Sequence, residues 1–169
     1  MELEDVDIEN THAAGSGGGL YLENSGTDKT TVSGLFTKTA TSSDSRTGGS
    51  YGNGGGAYIA VNGKVSLNNV TIENIYTRSD YYGSYNNGGG LWLYSRTHTT
   101  GPFFTTVSGL IITNATSEGL GDGAYIKMGN GNTLQIIGTG VKINNNPSAP
   151  SGAFLPVPPR RDTLLLIRR

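Results

Sequence analysis

The chain has 169 residues, 27 of them glycine, with 34% hydrophobic residues, no cysteine and a formal net charge of −1. A balance this close to neutral excludes a general nucleic-acid binder, whose phosphate contacts need a basic surface, and the missing thiols exclude disulfides and thiolate metal sites. So low an apolar fraction would mark disorder in an aperiodic chain, but this one is periodic.

The N-terminus is acidic, with Glu2, Glu4, Asp5, Asp7 and Glu9, and it lacks the basic and apolar regions of an export signal. Between these acids stand Leu3, Val6 and Ile8, followed by Asn10, and the spacing returns as Leu67, Val70, Ile72, Asn74 and as Val107, Leu110, Ile112, Asn114. Apolar residues at i and i+2 share one face of a strand. Next comes a glycine-led motif, Gly17-Gly18-Gly19-Leu20-Tyr21-Leu22. It recurs as Gly54-Gly55-Gly56-Ala57-Tyr58-Ile59, as Gly88-Gly89-Gly90-Leu91-Trp92-Leu93 and as Asp122-Gly123-Ala124-Tyr125-Ile126. Self-similarity at 33 to 37 residues signals a repeat array in which each unit buries its apolar face against its neighbours. The hexapeptide Thr30 to Leu35 is repeated letter for letter as Thr105 to Leu110, and Ala-Thr-Ser follows both at the same offset, Ala40 to Ser42 and Ala115 to Ser117. No window has the helical period, and β-branched residues and glycine dominate.

Each unit reads as three short strands: the glycine-led triplet, a Thr/Val/Ser stretch and the strand that ends in Asn. A tight turn such as Asn68-Asn69 or Ser108-Gly109 is expected between the last two. The expected fold is all-β, a right-handed parallel β-helix (solenoid) of about four coils with three short strands per coil. Its inward rows would be Leu20, Ala57, Leu91, Ala124; Leu22, Ile59, Leu93, Ile126; Val6, Leu35, Val70, Leu110, Val141; and Ile8, Thr37, Ile72, Ile112, Ile143. Asn10, Thr39, Asn74, Asn114 and Asn145 would form a further row at a turn, where Asn tolerates positive φ. Asn69-Val70-Thr71 and Asn114-Ala115-Thr116 match the glycosylation acceptor pattern, and Asn69, outside that row, is the better candidate.

After Asn146 the pattern dissolves into Pro147-Ser148-Ala149-Pro150 and Pro156-Val157-Pro158-Pro159-Arg160-Arg161. The expected organisation is a repeat domain over 1–146 and a Pro-rich, basic tail or linker over 147–169, disordered. No apolar run reaches the ~20 residues of a membrane span. A chain that starts in mid-unit without a cap is expected to be a fragment of a larger extracellular solenoid, with end-to-end stacking through uncapped coils.

The glycine-led motif, followed by segments such as Val65-Ser66-Leu67-Asn68-Asn69-Val70-Thr71-Ile72-Glu73-Asn74, resembles the polymorphic outer membrane protein repeats over residues 1 to 146. Those repeats combine a Gly-Gly-Ala-Ile-type motif with a Phe-x-x-Asn-type motif, replaced here by Ile72-Glu73-Asn74 and Ile112-Thr113-Asn114. The resemblance implies a surface passenger or adhesin-like domain, extracellular or on the cell surface.

The candidate site is aromatic. If Leu20 and Leu22 face inward, Tyr21 faces outward, and Tyr58, Trp92 and Tyr125 follow, one ring per unit on a single face. Such a ladder is suited to glycans or to host or cell-surface proteins, with Tyr51, Tyr81, Tyr82 and Tyr85 in nearby loops, and it also strengthens the sheet through cross-strand pairs. The expected function is a non-catalytic surface module without cofactor, metal or catalytic residues. The alternative is a carbohydrate-active enzyme, a polysaccharide lyase or glycosidase, for which Glu118 and Asp122 are the one place where two acids approach. His12 and His98 do not stand at metal or triad spacing from other such residues, and Gly129-Asn130-Gly131-Asn132 reads as a turn, since no Gly-Lys-Ser/Thr follows.

Overall fold

The computed structural model describes residues 1–44, 52–79, 88–96, 103–117, 123–137, 141–144 and 154–157, the side chains of 41–44, 78–79, 144 and 154–157 excepted. Its elements in chain order are all strands. The first unit holds β1 (Glu2–Glu4), β2 (Asp7–Glu9), β3 (His12–Ala13) and β4 (Leu20–Asn24). The second holds β5 (Thr30–Ser33), β6 (Phe36–Lys38), β7 (Thr41–Asp44) and β8 (Ala57–Val61). Then follow β9 (Val65–Ser79), β10 (Leu91–Ser95), β11 (Phe104–Ser117), β12 (Ala124–Met128), β13 (Thr133–Ile136), β14 (Lys142–Asn144) and β15 (Phe154–Val157).

The structure departs from the expected right-handed β-helix with three short strands per coil. The described strands form two parallel sheets, one of ten strands and one of five, and no helical coil defines the architecture. The four glycine-led triplets, with β15, make up the small sheet, in the order β15-β12-β10-β8-β4. Everything else belongs to the large one. The stretches expected as second and third strands are there one continuous strand, 15 residues long in β9 and 14 in β11. The junctions share one backbone conformation, also found at Gly34 (φ 63°) between β5 and β6, which stay separate strands. Asn69 (φ 51°) and Gly109 (φ 69°) occupy the left-handed region, as do Asn74 (φ 53°) and Asn114 (φ 52°), so each bends the chain for one residue. Strand pairing resumes on both sides: Ser108 pairs with Asn68, Leu110 with Val70, Thr113 with Glu73 and Ala115 with Ile75. The expected turns are thus bends inside a strand. The strands also run on past the Asn row, burying Ile75 and Ala115.

Register between units is as the repeats indicate. Leu22 pairs with Ile59, Ile59 with Leu93 and Leu93 with Ile126; Thr37 pairs with Ile72 and Ile72 with Ile112. Both sheets contribute to one core in which Leu35, Ile59, Leu67, Ile72, Leu91, Leu93, Leu110 and Ile112 are fully buried. Glycine sets how closely the sheets approach. A Cβ on Gly90 would lie 2.6 Å from Ile112 Cγ2 of the large sheet and 2.6 Å from the Gly123 carbonyl of the next unit, closer than carbon atoms tolerate. The first glycine of the motif is needed for another reason: Gly17, Gly54 and Gly88 have φ of 64 to 70°.

Phe154–Val157, inside the stretch expected as a tail, forms β15 parallel to β12. It carries Pro156 on an edge strand, where a missing N–H is tolerated. The rest of 147–169 lies outside the described residues, as does Asn145. No described helix is long and apolar enough to cross a membrane.

Candidate functional site: the outer face of the five-stranded sheet

Alternation along the strands of the small sheet sends Leu22, Ile59, Leu93 and Ile126 inward and the intervening residues outward. Parallel pairing then aligns Tyr21, Tyr58, Trp92 and Tyr125 in one row. Tyr21 stacks on Tyr58 with ring centroids 4.8 Å apart and planes 2° from parallel, and Tyr58 stacks on Trp92 at 4.4 Å and 3°. The stack loosens at Tyr125, 6.3 Å and 13° from Trp92. Rings stacked this way spend their faces on one another and present edges to solvent. Tyr21 is the exception, because among the described residues β4 is the outermost strand of its sheet, and Tyr21 is 54% exposed.

Two residues further along each strand lies a second outward row, Glu23, Ala60, Tyr94 and Lys127. Tyr94 meets Trp92 edge to face at 5.7 Å, and the Lys127 ammonium sits 4.8 Å from the Tyr94 ring centre. Arg96, just beyond β10, reaches across β8 to form an ion pair with Glu23 on β4, and the Tyr21 hydroxyl donates to the same carboxylate at 2.9 Å. The short side chain of Ala60, on the strand between, leaves room for that reach. Arg96 holds the Glu23 carboxyl below its usual range, assisted by the Tyr21 hydroxyl, while the hydrogen bond to Glu23 raises Tyr21. Burial raises Tyr58 and Tyr125.

Arg96 is itself anchored. Its backbone N–H donates to the Val61 carbonyl at 2.7 Å, and the buried Asn132 donates Nδ2 to the Arg96 carbonyl at 3.0 Å and to Ser95 Oγ at 2.9 Å, while Asn132 Oδ1 accepts from the Phe103 N–H. Asn132 ends the turn expected over Gly129–Asn132, with Gly131 at φ 74° and the Asn132 N–H bonded to the Gly129 carbonyl.

The four aromatic residues expected as a ladder are therefore brought together. Glu23, Tyr94, Arg96 and Lys127 were not foreseen, although the two-residue period points from each ladder position to the next outward one. Glu118, Asp122, His98, Tyr51, Tyr81, Tyr82 and Tyr85 lie outside the described residues. His12 falls on β3 of the other sheet, and among the described residues no three His, Asp or Glu gather as a metal ion would need. Asn69 and Asn114 are both exposed, and Asn114 Nδ2 donates to Asn74 Oδ1 at 3.1 Å.

No protein-family model, no curated protein and no solved structure matches this chain.

Proposed function

We propose that the chain is a non-catalytic, adhesin-like module of the cell surface that binds glycans or surface proteins through the outer face of its five-stranded sheet. The observation that supports this reading is the in-register aromatic stack beside an exposed lysine. A rigid row of ring edges with hydroxyl groups offers amphipathic contact area at low entropic cost. The exposed Tyr21, on the outermost described strand, offers a ring face for stacking on a sugar, and ring edges with the adjoining Lys127 provide further contact. The resemblance to polymorphic outer membrane protein repeats agrees with display at a surface.

The test is binding of the full chain to glycan and cell-surface protein arrays, with Trp92→Ala and the exposed Lys127→Glu as variants and circular dichroism as the check on folding. Saturable binding without turnover, weakened about tenfold or more by either variant while the spectrum is kept, is the expected result. Binding that both folded variants retain, no binding at all, or release of reducing or unsaturated ends from a polysaccharide panel would each overturn the proposal.

A further inference from the structure

The two ends of the large sheet are complementary. Among the described residues, β1 and β2 have no strand on their outer side, and neither do β13 and β14. Register followed through the sheet runs from Leu3 through Val32, Leu67 and Val107 to Ile136. A second column runs from Ile8 through Thr37, Ile72 and Ile112 to Ile143. The interior members are 0 to 1% exposed. The terminal ones, Leu3 and Ile8 at one end and Ile136 and Ile143 at the other, are only partly buried, as are Val6 and Val141. Among the described residues, each column therefore ends at both sides on a partly covered apolar side chain.

Charge decides which end fits which. The outward positions of β1 and β2 are Glu2, Glu4, Asp7 and Glu9, all exposed, so two such edges repel each other. The outward positions of β13 and β14 include Gln135 and Lys142 and no acid. Lys142 shares a column with Asp7, through Phe36, Thr71 and Ile111. Between Ile136 and Lys142 the chain is two residues longer than between Leu3 and Asp7. The same excess is already accommodated where β13 and β14 pair with β11.

We propose that the β13–β14 edge of one copy adds in parallel to the β1–β2 edge of a second copy, placing Ile136 beside Leu3, Ile143 beside Ile8 and Lys142 beside Asp7. This inference is independent of the aromatic face. Because the two edges differ, the contact is heterologous and leaves an open edge at each end of the pair, so association continues to higher oligomers.

The experiment is sedimentation velocity on the full chain over about two decades of concentration, with Asp7→Lys and Lys142→Glu. Both residues are exposed, so the variants are expected to keep the wild-type circular dichroism spectrum. Wild type is expected to form a concentration-dependent series of oligomers. Each variant alone associates about tenfold more weakly. An equimolar mixture of the two recovers association, because the carboxylate introduced into one variant then meets the ammonium introduced into the other, restoring an opposite-charge pair with its signs exchanged. A chain that stays monomeric, a closed dimer that grows no further, variants that associate like wild type, or a mixture no better than its components would overturn the proposal.

Discussion

Thr37 interrupts a column of isoleucines, and its hydroxyl is fully buried with no hydrogen-bond partner among the described residues. An orphaned hydroxyl in an apolar column costs free energy that an isosteric methyl does not. Thr37→Val is therefore expected to raise stability by about 1 kcal/mol, read as a higher denaturant midpoint at unchanged slope. Glu23 and Tyr21 set a pH window instead. The carboxyl is held below its usual 4.5, so its contribution is complete above that pH and fades as the pH falls through the depressed value. The phenol is raised above 10.0, so its contribution is complete below pH 10 and fades as the pH rises through the raised value. In Glu23→Gln the Tyr21 ionisation, isolated as a difference titration against Tyr21→Phe, should move down toward 10.0. At this scale the sequence discloses which face a residue takes, because alternation within a five-residue strand is unambiguous. It does not disclose that Arg96 crosses β8 to Glu23, since a long side chain spans residues 73 positions apart that no local pattern connects.

Elements were legible by position and less so by extent. The glycine-led triplets became β4, β8, β10 and β12, whereas the Thr/Val/Ser and Asn-terminated stretches stayed separate as β5 and β6 but fused into β9 and β11, where a residue of positive φ bends the strand without ending its pairing. Composition alone cannot separate such a bend from a turn, as Asn and Gly serve both. Two substitutions probe the elements. Gly90→Ala forces a methyl group against Ile112 and the Gly123 carbonyl and should destabilise by about 2 kcal/mol, with the loss visible in thermal unfolding. Asn132→Ala removes the buried hydrogen bonds that Asn132 makes to Ser95 Oγ and to the Phe103 N–H. A cost of about 2 kcal/mol is expected, and the Arg96–Glu23 pair should loosen with it, which the Tyr21 titration would report.

For the molecule as a whole, the repeat period disclosed which residues are neighbours between units but not how their strands divide between sheets. Assigning three strands to each unit implied three faces; two sheets share the core instead, one twice as populous as the other. The same arrangement governs how the chain must find its structure. All described pairings are parallel, and partners such as Val32 and Leu67, or Leu67 and Val107, stand 35 and 40 residues apart, with no hairpin to zip up locally. Loop closure then precedes every favourable contact, which places refolding in the slow range of β proteins, on the order of milliseconds to seconds. Stopped-flow refolding should show that slow phase and no fast, locally driven one. During this search the edges of β9 and β11, the two longest strands, stay open until partners distant in sequence are located, so dilute refolding is expected to give higher yields than concentrated refolding.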